Sequence, residues 1–147
     1  MSTPAELLAE IYRLAGERDW DAVAERLHPE IVIYEADSLP FAGEWKGKDA
    51  LQRLSAAMYG TWAEAKVEIH EIIGGETYAA VILSLTMTSK KTGRTFTQTL
   101  SEVGKFEGGL LREHRIHYFD AAEIAAEAGS KRQHVSRRAV SRPLGRP

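Results

Sequence analysis

Two strand-like runs, Thr95–Phe106 and Leu110–Asp120, are separated only by Glu107-Gly108-Gly109. A two-residue primed turn needs positive φ at both central positions, and glycine adopts that freely. The pair therefore predicts a tight antiparallel ribbon. Because side chains alternate across a strand, the turn also decides which residues share a face. With the loop confined to Gly108-Gly109, Phe106 faces Leu111, Glu102 faces Arg115 and Leu100 faces His117. One face then combines Phe96, Leu100, Phe106, Leu111 and Phe119 with Gln98, Glu102, Arg115 and His117. A mostly apolar wall carrying a few convergent polar groups is the pattern of a small-molecule pocket. A one-residue bulge would instead turn His114, Ile116 and Tyr118 inward.

The rest of the chain supplies a cover for such a ribbon. Thr3-Pro4-Ala5-Glu6 is a capping box with proline at the first helical position. Leu7, Leu8, Ile11, Leu14 and Ala15 follow at helical spacing, up to Gly16. Asp19 can cap a second, short helix with Trp20, Val23, Ala24 and Leu27 on one stripe, closed by His28-Pro29. Ile31–Ala36 reads as a strand, Asp37–Gly47 as a loop and Lys48–Tyr59 as a third helix. Lys66–Ile73 and Thr77–Thr88 alternate as strands on either side of Gly74-Gly75-Glu76. Asp120 caps a last helix over Ala121–Ala128, which Gly129 ends. Helices first and strands after them predict an α+β fold, with helices packed on the concave face of a strongly curved sheet. No internal repeat is evident, and residues 1–130 read as one domain.

Composition removes several classes of function. The chain has no cysteine, which rules out disulfides and thiolate chemistry. No apolar run approaches the roughly 18 residues needed to span a bilayer. The start, MSTPAELLAE, lacks the basic and apolar regions of a signal peptide, so the expected location is cytoplasmic. A net charge of −2 conceals an asymmetry, because residues 131–147 hold six bases and no acid, leaving −8 on the remainder. That acidic body will not seek phosphates, and nucleic acid is expected at most weakly, through the basic tail. The tail itself, highly charged and poor in apolar residues, is expected to be disordered. No phosphate loop, dinucleotide fingerprint, nucleophile elbow or metal-ligand spacing is present, so neither cofactor nor metal is expected.

Three segments together, ERDWDAVAERLHPEIVIYE, LPFAGEWKGKDAL and REHRIHYFDAAEI, are similar to the SnoaL-like branch of the nuclear transport factor two superfamily. The resemblance runs from about Ala5 to Glu127. It implies a cone-shaped barrel, usually dimeric through the convex sheet face. Its pocket serves polyketide cyclisation, ketosteroid isomerisation, epoxide hydrolysis or no chemistry in different members, so the fold alone leaves the reaction open. The Arg and two Asp of the epoxide hydrolases are not matched, since YAAVILSLTMT carries no charge. The acid that polyketide cyclases carry on the last strand is replaced here by His117. The protonated carboxyl of ketosteroid isomerases lies four residues before a strand Phe, as Glu102 lies before Phe106. Their base position falls on Tyr34, beside Glu35 and Asp37, and their oxyanion Tyr falls near Ile11, next to Tyr12.

These residues define the expected site. His117 is the group best suited to shuttle a proton near neutrality, with Glu102 and Asp37 as its catalytic partners. Glu102 has a second reading as a cross-strand ion pair with Arg115. Tyr34, Trp45, Tyr59, Trp62, Gln98, Arg115 and Phe119 are expected to line the substrate pocket. Trp45, Tyr59 and Trp62 equally fit simple packing. Thr95, Thr97, Thr99 and Ser101 form a flat polar surface suited to a homodimer or to solvent. The expected function is a cofactor-free acid–base isomerase or cyclase acting on a small apolar or carbonyl compound. The alternative is a non-catalytic ligand-binding or dimerisation module.

Overall fold

The computed structural model describes residues 2–129; the expected basic tail lies outside them. The elements are α1 (Pro4–Gly16), α2 (Trp20–Glu25), β1 (Leu27–Glu35), β2 (Gly43–Lys46), α3 (Ala50–Thr61), β3 (Trp62–Gly74), β4 (Tyr78–Ser89), β5 (Thr95–Glu107), β6 (Leu110–Tyr118) and α4 (Ala121–Ala128). The strands form one curved, unclosed sheet in the order β2-β1-β6-β5-β4-β3. Only β1 and β6 run parallel; the other neighbours are antiparallel. The α+β expectation therefore holds. Strand β2, which falls within the predicted loop, was not foreseen, because four residues are too few for a period to be read.

Local chemistry explains the element ends. The Thr3 hydroxyl accepts from the Glu6 amide at 3.2 Å, and the Glu6 carboxylate accepts from the Thr3 amide at 2.9 Å. The Asp19 carboxylate caps α2 at the Ala22 amide, 3.2 Å away. Gly108 and Gly109 have φ of 60° and 80°, as the primed turn requires. Among the described residues, no helix is long and apolar enough to cross a membrane.

The core lies between α1 and the inner sheet face. Leu8, Ile11 and Leu14 of α1 meet the alternating residues Val81, Leu83, Leu85 and Met87 of β4 and Phe96 and Leu100 of β5, all buried. Each fully buried side chain of this size contributes about 1.5–3 kcal/mol relative to exposure. Met58, Ala57 and Leu51 of α3 pack at the edge of the same cluster.

The ribbon departs from the simple register. Phe106 pairs with Leu111 as expected, but the next pair is Lys105 with Glu113, so Arg112 is an extra residue in β6. Beyond this bulge Glu102 faces Ile116 and Leu100 faces Tyr118. This corrects the expected pairs Glu102–Arg115 and Leu100–His117. The unbulged register would point Glu113, Arg115 and His117 into the core. Burying such charges without partners costs several kcal/mol each. The bulge gives up about one ladder hydrogen bond, worth roughly 1 kcal/mol. It also frees Arg112, whose guanidinium donates to the Glu30 carbonyl at 2.6 Å. The β1–β6 ladder shifts register in the same region, between Leu27 and Val32.

Candidate functional site

A cavity of about 410 Å³ opens between the helices and the inner sheet face. Its walls are mainly aliphatic: Leu51, Leu54 and Met58 from α3, and Leu83, Leu85, Leu100 and Ile116 from the sheet. Tyr59, Val67 and Ile69 are partly exposed residues of the same lining. Ser55 adds a hydroxyl to the lining, and four further polar side chains converge on it: Tyr12, Glu35, Glu102 and Tyr118.

They form two linked pairs. Tyr118 donates its hydroxyl hydrogen to both carboxylate oxygens of Glu35, at 2.9 and 3.2 Å. Tyr12 donates to Glu102 Oε1, which also lies 3.3 Å from His114 Nε2; that nitrogen is 3.1 Å from the Tyr12 hydroxyl. His114 is 3% exposed and stands behind Tyr12, against a smaller hollow of about 70 Å³ rather than the main cavity. Its Nδ1 is buried without a partner. A Cβ at residue 104 would sit 2.7 Å from Leu111 Cδ1 and 3.3 Å from that nitrogen, so Gly104 makes room for the imidazole.

The electrostatics separate the two carboxyls. Glu35 is only 8% exposed. Burial, and secondarily the negative charge of Glu102, push its pKa up to about 8, against the opposing hydrogen bond from Tyr118. Burial also raises Tyr118 and Tyr12 far beyond an ordinary phenol, with Glu35 and Glu102 as their respective charged neighbours. Both tyrosines therefore stay protonated near neutral pH and act as donors. Glu35 is the group that can hold or release a proton there, while Glu102 accepts from Tyr12. Among the described residues no group of three or more His, Asp or Glu is placed to hold a metal ion.

The expected site residues divide. Glu102 and Tyr59 do line the cavity. His117, expected as the proton shuttle, is exposed, because the Arg112 bulge turns it to the convex face with Ser101 as its partner. Arg115 shares that face, its guanidinium 4.2 Å from the Tyr34 ring centroid and 2.7 Å from the Glu113 carboxylate, so neither Arg115 nor Tyr34 reaches the cavity. Phe119 is 86% exposed for the same reason. Gln98 points inward but clamps the start of α4, donating to the Asp120 carbonyl and the Glu123 carboxylate, each at 2.8 Å. Trp62 is core, packed edge-on to Phe96 with ring centroids 5.8 Å apart. Trp45 of β2 donates to the Phe41 carbonyl at 2.9 Å, outside the cavity lining. Asp37 is exposed in the turn after β1.

Glu35, Tyr12, Tyr118 and His114 take the places left open. The first two lie one residue from the positions reached by counting along the resemblance. The last two are the inward set of the bulged register. The charge pattern Glu113-x-Arg115-x-His117 against Ile116-x-Tyr118 was the signal for that register.

Comparison with known proteins agrees with this architecture. No curated protein matches the chain. An NTF2-like protein of unknown function from Burkholderia pseudomallei superposes with a TM-score of 0.74 at 23% identity, over 88% of this chain and all of the other. TerC, crystallised with polyporic acid, gives 0.72 at 16% identity over 87% of this chain and all of TerC. IdmH from Streptomyces antibioticus, provisionally described as a polyketide cyclase, gives 0.65 at 17% identity over 87% of this chain and 99% of IdmH. At these identities the likeness is one of fold. A family model, the SnoaL-like domain, matches residues 8–114, and with that span of sequence behind the shared architecture the chain belongs to the SnoaL-like family.

Proposed function

We propose that this protein holds a small hydrophobic ring compound in the cavity and moves a proton on it without a cofactor, as an isomerase or cyclase does. The observation that carries the reading is Glu35. It is a nearly buried carboxyl in an apolar chamber, with a pKa of about 8. A group of that kind exchanges protons at neutral pH. In its neutral form it can donate to a carbonyl or other acceptor; ionised, it can accept a proton from the ligand. Tyr118 holds the carboxyl in place, and Glu102, tied to Tyr12, supplies the second charge. A chamber of about 410 Å³ suits a ligand of one to three fused rings. TerC, with the same fold, has been crystallised with a small organic compound, which supports the ligand class.

A second reading, a non-catalytic binding module, is favoured by the mutual satisfaction of the four polar groups. Deuterium exchange separates the two. With 1-indanone in D₂O, the proposal expects protein-dependent exchange of the α-hydrogens, reduced at least tenfold in Glu35→Gln with affinity retained. Binding without exchange above the buffer rate leaves only the non-catalytic reading. We also propose a homodimer through the convex face. Exposed Ile73 and Tyr78 lie on that face at one end of β4, and the threonine pairs Thr86–Thr97 and Thr88–Thr95 lie on it at the other. Analytical ultracentrifugation tests this, and a monomer at micromolar concentration refutes it.

A further inference from the structure

We infer that the cavity selects a hydrophobic amine, bound as its ammonium cation, over neutral or anionic ligands of the same shape. This rests on the reading of the cavity as the ligand site and adds the charge of the occupant.

Two independent observations point the same way. The first is charge. Two carboxyl side chains, Glu35 and Glu102, reach the lining from different strands, β1 and β5. Among the described residues the lining includes no lysine, arginine or histidine. The nearest basic group, His114, stands behind Tyr12 and Glu102, with a buried Nδ1 that finds no acceptor. Buried carboxylates without a cation are costly, and an ammonium brought in by a ligand removes that cost.

The second observation is the direction of the hydrogen bonds. The hydroxyl hydrogens of Tyr12 and Tyr118 are both committed to carboxylates. Once Glu35 is ionised, what these four groups offer a ligand is lone pairs, on the carboxylate and phenol oxygens. An ammonium group brings three donors and no acceptor. A ligand carboxylate brings the reverse and meets like charge. The rings of Trp20 and Tyr59 in the lining also tolerate a cation better than an anion.

The cation would also change the chemistry. An ammonium near Glu35 favours its ionised form, so a cationic ligand converts the carboxyl from proton donor to proton acceptor as it binds. Binding then releases a proton. With Glu35 titrating at about 8, it is largely protonated at pH 7, so amine binding there releases protons.

The test uses the full chain and three isosteric probes: 2-aminoindane, 2-indanol and indane-2-carboxylate. Isothermal titration at pH 7 is run in two buffers of different ionisation heat. The expected result is 2-aminoindane binding at least tenfold tighter than 2-indanol, carboxylate weakest, and proton release on amine binding only. Glu102→Gln and Glu35→Gln should each reduce the amine preference at least threefold. Parent-like circular dichroism in both variants shows that the fold is intact. Equal affinity for amine and alcohol overturns the charge inference and leaves the cavity reading standing. An amine preference that survives in both variants means binding elsewhere on the acidic body, and also overturns it. Failure of all three probes to bind removes the cavity reading itself.

Discussion

Replacing Glu35 by glutamine should change the way stability depends on pH. In the native state the carboxyl is protonated up to about pH 8; in an unfolded chain its pKa is near 4.5. Below 4.5 both states carry the proton and the group adds no pH dependence. Between 4.5 and 8 the folded state holds a proton that the unfolded state has lost. Stability therefore falls as pH rises, by up to about 1.4 kcal/mol per unit. The difference of about 3.5 units corresponds to about 3–5 kcal/mol over the whole window. Glutamine has no charge to desolvate and keeps an oxygen for the Tyr118 hydroxyl. Other displaced groups titrate outside this range. Glu6, Glu113, Glu123 and Glu127 are lowered and act in acid, while Tyr12 and Tyr118 are raised and act in strong base. The assay is urea denaturation of both proteins at half-unit steps from pH 4.5 to 8.5. The variant should gain about 3–5 kcal/mol on the parent across that span. Curves that stay parallel within 0.5 kcal/mol would refute the claim that burial holds Glu35 protonated.

Further substitutions probe the same geometry. Tyr118→Phe removes the hydrogen bond that lowers Glu35, so the carboxyl should titrate higher still, measured by ¹³C NMR of the labelled side chain. Gly104→Ala should cost about 1–3 kcal/mol by overpacking Leu111 and His114, read from the denaturation midpoint. His117→Ala should change stability by less than 0.5 kcal/mol and leave ligand affinity untouched, because the imidazole faces solvent. Deleting Arg112 removes the bulge residue and leaves a regular ladder, in which Arg115 and His117 keep the convex face and His114, Ile116 and Tyr118 stay inward. Cooperative unfolding is expected to survive the deletion, and its loss would contradict the register argument.

The sequence by itself determined the elements, because their signals are local. The Thr3–Glu6 capping box, the Asp19 and Asp120 caps and the Gly108-Gly109 turn each act within a few residues of chain, and each is found where the residues put it. Glu102 was legible as a cavity residue because β5 keeps its alternation from Thr95 onward. The other half of the site was not settled locally. One extra residue at Arg112 exchanges every later side chain of β6 between faces, and a turn motif contains no record of it. The choice follows from what the rest of the fold makes inside. Once α1 covers the sheet, burying Glu113, Arg115 and His117 costs far more than one interrupted ladder bond. His114, Ile116 and Tyr118 therefore turn in. Only that packing brings Tyr118 to Glu35 and Tyr12 to Glu102, across 83 and 90 residues of chain. The tertiary structure alone decides which carboxyl the cavity holds protonated, since desolvation depends on every wall of the chamber and not on the residue's neighbours in sequence.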